Sequence, residues 1–204
     1  MPALRARLTA FCGAPRLHAR FLNTLSLMEH IGSRKIMATQ SGVELDNDTL
    51  KHLAEESRHA FFFKRAAEKL ARRKLDYGAD ATIAGASARA YMGRLDAGIE
   101  AALPPTRPAA LPYLYMSLIV ELRAIWLYRL YRDILDSYAI GIALKSVLAE
   151  EELHLSAMLG RIGEMDADSE IRIAGFARLE DRQFRIAWRA IEDACEIVAQ
   201  GAPA

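Results

Sequence analysis

Apolar residues recur at helical spacing along several long stretches of this chain. From Leu17 to about Gln40, Phe21, Leu22, Leu25, Met28, Ile31 and Ile36 line one face, which predicts a first long helix. Ser41-Gly42 ends that run, and Asp46 or Asp48 can cap a second helix that reaches about Leu75 before Asp76-Tyr77-Gly78 stops it. A third long helix begins near Pro112, and a fourth covers about Ser137 to Ile162. A fifth is predicted from about Asp168 to Ala199, with Trp188, Ile191, Cys195 and Val198 on its apolar stripe. It reads as a lid or homodimer helix, although packing alone would also explain it. No stretch alternates with the two-residue period of a strand, so the expected class is all-α.

Between the second and third runs, Ala79 to Ala102 is rich in alanine and carries Gly85, Gly93 and Gly98, which predicts a partly helical segment. Pro104, Pro105, Pro108 and Pro112 follow it. Two helical hairpins that pack as one bundle need a long connection at this point.

Two polar residues interrupt the apolar stripes. Glu29 lies among Leu25, Met28 and Ile36, and Glu121 among Leu114, Leu118, Ile125 and Tyr128. Burying an unpaired carboxylate costs several kcal/mol, so each calls for a partner. The next long helix supplies a candidate in both cases, Glu56-Ser-Arg-His59 after Glu29 and Glu151-Glu-Leu-His154 after Glu121. Residues three apart on a helix point the same way. The lone and paired glutamates are 27 and 30 residues apart, the interval of antiparallel neighbours joined by a short loop. Glu29, Glu56, His59, Glu121, Glu151 and His154 therefore make a candidate metal site of four carboxylates and two imidazoles. Carboxylates suit hard Fe(III) and Mn, imidazole suits Fe(II), and four negative charges balance two divalent ions.

This pattern resembles the ferritin-like di-iron carboxylate superfamily, over roughly residues 16–163. The resemblance implies a ferritin-like four-helix bundle with a long crossover between its second and third helices and an additional C-terminal helix. It also implies two iron ions, or manganese in place of iron, with O₂ as cosubstrate. Glu55 and Glu150 directly precede the paired glutamates. An acidic residue there is common in the oxygen-activating monooxygenases and the radical-generating ribonucleotide reductase subunit, where it accepts a hydrogen bond from a ligand histidine. Surface charge is an equal reading of both. His52 extends the first motif to His52-x-x-x-Glu56-x-x-His59, similar to the extra histidine of arylamine N-oxygenases, which carry it on their second pair instead. It is a candidate additional ligand. His30 points about 100° away from Glu29 on a helix, and His18 is too distant. Tyr128, two turns after Glu121, is within reach of the site or an ordinary core tyrosine.

The leading functional expectation is an O₂-activating oxidase or oxygenase acting on a small organic substrate, fed by an external electron donor such as a reductase or ferredoxin. Ser26, Ser117, Ala124 and Val147 could leave room for that substrate, or could simply be close-packing points. A rubrerythrin-like peroxidase, a bacterioferritin-like ferroxidase and a metal-free helical interaction protein are the alternatives. The tRNA-modifying hydroxylases of similar length share no further visible motif.

Composition narrows the field only a little. A chain of 204 residues, 52% hydrophobic, suits one domain. The net charge of +1 offers no field to steer nucleic acid. The one basic run, Lys64 to Lys74, fits a solvated helix end. Cys12 and Cys195 form no Cys-x-x-Cys motif, which excludes a rubredoxin-type iron centre. Met1 to Pro15 does not read as a signal peptide, and the most apolar segment, Ala109 to Val120, is too short to span a bilayer. A cytoplasmic protein without membrane contact is expected.

Overall fold

The computed structural model describes residues 2–39 and 46–200, and these form seven α-helices and no strand. The sequence-predicted end of the first long helix at Ser41-Gly42 lies outside the described residues. The helices are α1 (Pro2–Cys12), α2 (Pro15–Thr39), α3 (Asn47–Ala71), α4 (Gly85–Ala102), α5 (Leu111–Ser137), α6 (Lys145–Met165) and α7 (Ser169–Gln200). None is long and apolar enough to cross a membrane.

Five elements match the expected helices in place, and the differences have local causes. Helix α1 was not anticipated: arginines interleave with Leu4, Leu8 and Phe11, yet these three share one face and are buried. The helix packs on α2 and α5. Asp46 caps α3 by accepting a hydrogen bond from the Thr49 amide at 2.6 Å. That helix stops at Ala71, short of Leu75, because Arg72 turns left-handed (φ 53°). Glu68 then accepts the Leu75 amide at 3.1 Å, closing the turn. Helix α6 starts at Lys145 rather than near Ser137; Ala139, at φ 50°, breaks the helical path after α5. The alanine- and glycine-rich segment is helical from Gly85 onward.

Polar side chains on α2, two of them fully buried, anchor the chain between α3 and α4. Asn23 donates to the Asp76 and Ala81 carbonyls at 2.7 and 2.8 Å, and Arg20 donates to the Thr82 carbonyl at 2.7 Å. Thr24 accepts the Ile83 amide at 2.8 Å. Side chains thus satisfy backbone groups that no helix ladder serves.

Helix α2 packs along α3, and α5 along α6; α7 lies mainly on α4 and also meets α5. Two apolar clusters form the interior. One gathers Leu22, Leu25, Phe63, Tyr128, Tyr131 and Leu148 with α1. The other gathers Ile36, Leu114, Leu118, Met158 and Ile162 with α4. Along each of α2, α5 and α6 the chain passes from one cluster to the other through a buried acidic position: Glu29, Glu121 and Glu151. A layer of charge therefore separates two hydrocarbon layers. That placement is tolerable only if the charges compensate one another or share a cation.

Candidate metal centre

All seven residues proposed from sequence as ligands are buried, and they converge in two groups. Glu29, Glu56, His59 and Glu151 form one; His52, Glu56, Glu121 and His154 form the other. Within each group the ligand atoms lie within 4.8 Å of one another, spacing that could hold a metal ion. Four helices supply them: α2 gives Glu29, α3 gives His52, Glu56 and His59, α5 gives Glu121, and α6 gives Glu151 and His154.

Two carboxylates connect the groups. Glu56 belongs to both, and its Oε1 stands 3.6 Å from His52 Nε2, 3.7 Å from His59 Nδ1 and 3.8 Å from His154 Nδ1. Glu151 directs Oε1 at His59 Nδ1 (3.2 Å) and Oε2 at His154 Nδ1 (3.4 Å). Glu56 Oε1 and His59 Nδ1 are both fully buried without a hydrogen-bond partner. Buried polar atoms are rarely left unpaired, and two of them facing one point mark a place for a ligand. The donor set of carboxylate oxygens and imidazole nitrogens fits iron or manganese.

The outward nitrogens of both histidines are held by glutamates from the opposite motif. His59 Nε2 donates to Glu150 Oε2 at 2.7 Å, and His154 Nε2 donates to Glu55 Oε2 at 2.8 Å. Each residue preceding a paired glutamate therefore serves the histidine of the other helix. Arg58, in turn, pairs with Glu150 at 2.7 Å. These bonds leave Nδ1 of both rings turned inward. His52 has a different support: with its Nε2 donating to Glu121 Oε1 at 3.2 Å, its Nδ1 accepts from the Tyr113 hydroxyl at 2.7 Å. Tyr128 donates its hydroxyl proton to Glu29.

The electrostatics record the strain of so much charge in one layer. Burial, reinforced by Glu56 and Glu151, raises the Glu29 pKa well above the carboxylate range. Burial and the neighbouring Glu121 and Glu56 push Glu151 up to about 8. Burial also raises Glu121. Glu56 is the exception: burial opposes its charge, but His52 and His59 hold its pKa well below the usual range. Burial disfavours the imidazolium of His59, yet Glu151 and Glu56 raise its pKa to about 12. His154 follows the same logic, with Glu121 and Glu151 overcoming burial to raise it to about 11. Protons thus supply the positive charge that the carboxylates require when no cation does.

The remaining histidines stand apart from this layer. His30 stacks on Tyr77 with ring centroids 5.6 Å apart, and His18 is buried in hydrogen bond with Tyr131. Of the small residues singled out from sequence, Ser26 is a packing point, donating to the Ala60 carbonyl at 2.7 Å, whereas Ala124 lines a cavity beside the site. Sequence reasoning missed Tyr113 and Arg58. Tyr113 lies in an apolar run far from His52, and no spacing rule signals that contact. Comparison with known protein families, curated proteins and solved structures finds no match to this chain.

Proposed function

We propose that this chain is a di-iron protein that uses O₂ to oxidise a small organic substrate, with electrons from an external donor. The observation that carries this reading is the pair of buried four-residue groups sharing Glu56. A single cation would use one group and leave the other's carboxylates uncompensated. On this reading Glu29, Glu56, His59 and Glu151 would hold one ion, and His52, Glu56, Glu121 and His154 would hold the other. Manganese is the alternative ion for the same oxygen- and nitrogen-rich set. Helices α2, α3, α5 and α6 would then be the four members of a ferritin-like bundle, α4 its crossover and α7 the additional helix.

When bound, a reduced iron pair would supply the electrons for dioxygen; the protein supplies position, dryness and protons. Glu55 and Glu150 fix the His154 and His59 rings, so that both Nδ1 lone pairs face inward once deprotonated. For His52 the inward atom is Nε2, and the Tyr113 hydroxyl would accept from Nδ1–H once an ion takes the place of the Nε2 proton. Tyr128 orients Glu29 and keeps a phenolic proton beside it. Apolar residues on α2, α4, α5 and α7 keep water from the Glu29 side. That dry wall suits an organic substrate on the Glu29 side, while a polar cleft with Asp48, Lys51, Glu55 and Arg161 in its lining reaches His52 and His154 from the other side.

The test is metal content after anaerobic Fe(II) loading, followed by the optical spectrum on admitting O₂. About two irons per chain and a new near-ultraviolet and visible absorption are expected. Glu56→Ala should lose most of both ions with helicity retained. Iron uptake equal in wild type and Glu56→Ala would refute the assignment.

A further inference from the structure

An apolar cavity of about 70 Å³ lies between α2, α4, α5 and α7 and ends on Glu29 and Glu56. Its walls include Met28, Met92, Ala124, Leu127, Phe184 and Trp188. Apart from Glu56, whose Oε1 belongs to the metal centre, the polar groups that reach it are already committed. Thr24 donates to the Arg20 carbonyl at 2.9 Å and accepts the Ile83 amide. Tyr128 donates to Glu29. Tyr91 donates to Glu180 Oε1 at 2.9 Å, and Arg123 forks onto the same carboxylate at 2.8 and 2.6 Å. Arg123 also lies 4.1 Å from the centre of the Phe184 ring. Glu180 is 4% exposed, so its charge and that of Arg123 cancel within the wall.

Away from the Glu29–Glu56 end, a charged or strongly hydrogen-bonding group would enter this space without a partner, at the desolvation cost of an unpaired polar group. An uncharged hydrocarbon loses nothing by entering. An apolar cavity of about 150 Å³ stays dry and takes up benzene or xenon, so the present volume suits a smaller occupant. We infer that this cavity binds the reacting part of the substrate, and that this part is a small uncharged hydrocarbon group, seated against Glu29 and Glu56 and closed off by the Arg123–Glu180–Tyr91 network that ties α4, α5 and α7 together. The inference rests on the metal-centre reading above for its chemistry, but the binding itself does not require a metal.

Trp188 in the wall reports occupancy directly once the only other tryptophan is removed by Trp126→Phe. Xenon and iodide are isoelectronic heavy-atom quenchers that differ in charge. Xenon should quench Trp188 fluorescence saturably, whereas iodide should give only weak, linear collisional quenching. Ala124→Phe, which fills the cavity from α5, should weaken the xenon effect at least tenfold. Ala187→Leu, which fills it from α7, is the second variant should the first disturb folding. Equal quenching by iodide, or saturable xenon quenching that survives both substitutions, would overturn the inference. Equilibrium dialysis with Mn(II) on the same proteins separates the two readings. Lost xenon binding with full Mn(II) uptake in Ala124→Phe supports a distinct cavity beside an intact centre. Xenon binding in a wild-type protein that takes up no Mn(II) would count against the metal centre alone.

Discussion

The crossed hydrogen bonds between Glu55 and His154 and between Glu150 and His59 lead to a prediction that the motif alone leaves open, because it does not say which histidine each glutamate serves. Substituting Glu55→Ala removes the acceptor of a charge-assisted bond at 2.8 Å and leaves a buried N–H without a partner. Loss of such a supporting bond weakens metal affinity roughly 10- to 100-fold. Glu55 has a side chain only 10% exposed, so water cannot readily replace it, and the effect should approach about 100-fold, or roughly 2.7 kcal/mol. The Glu150 side chain is 25% exposed and shared with Arg58, so Glu150→Ala should cost nearer tenfold. Glu55→Gln keeps an acceptor and loses only the charge, which leaves a deficit of about 1 kcal/mol. The assay is competition for Mn(II) against a chelator, with circular dichroism to verify folding. Glu152→Ala, on the exposed partner of Arg129, serves as control and should change nothing. In the metal-free protein, the side-chain nitrogen resonances of His154, and not those of His59, should shift in Glu55→Ala. Affinity equal to the Glu152→Ala control, or a shift at His59 instead, would refute the crossed geometry.

Other consequences are equally direct. The metal-free chain should lose stability as pH rises from about 6.5 through 8, because Glu151 is more readily protonated when folded (pKa about 8) than when unfolded and the raised His59 and His154 act in the same direction, whereas buried His18, lowered to about 4, acts the opposite way only below that window; a thermal midpoint in chelator that rose between about pH 6.5 and 8 would contradict the charge balance. Metal binding displaces those same protons, so Mn(II) affinity should rise with pH, and buffer-dependent calorimetry should register proton release; affinity independent of pH between 6 and 8 would contradict the ligand set. Arg123→Met leaves Glu180 charged and buried, and should destabilise the fold by about 3 kcal/mol. For a chain of this size that lowers the melting temperature by roughly 6–12 °C, readable by calorimetry; a change below about 2 °C would mean that the network is not closed in solution. His52→Ala should weaken one of two Mn(II) sites and spare the other, since His52 enters only the group with Glu121 and His154; uniform loss at both sites, or none, would exclude His52 as a ligand.

The position of the charged layer was legible in the sequence because it follows from local rules. An i, i+3 pair must share a helix face, and a glutamate within an apolar stripe must point at the core, whatever the tertiary arrangement. Those rules brought forward Glu29, Glu56, His59, Glu121, Glu151 and His154, and the structure gathers all six. Helix α1 escaped notice because three apolar residues among arginines carry little periodic signal, and only packing against α2 and α5 makes their burial worthwhile. The ends of α3 and α6 were misplaced because left-handed Arg72 and Ala139 give no compositional warning. What tertiary structure alone decided is who meets whom. The membership of His52 in the site, the support of its ring by Tyr113, the crossing of Glu55 and Glu150, and the apolar chamber under α4 and α7 all join residues far apart in the chain. Helical periodicity specifies the direction of a side chain about its own axis; the rotation and offset between axes, set by how the apolar faces interlock, specify its partner.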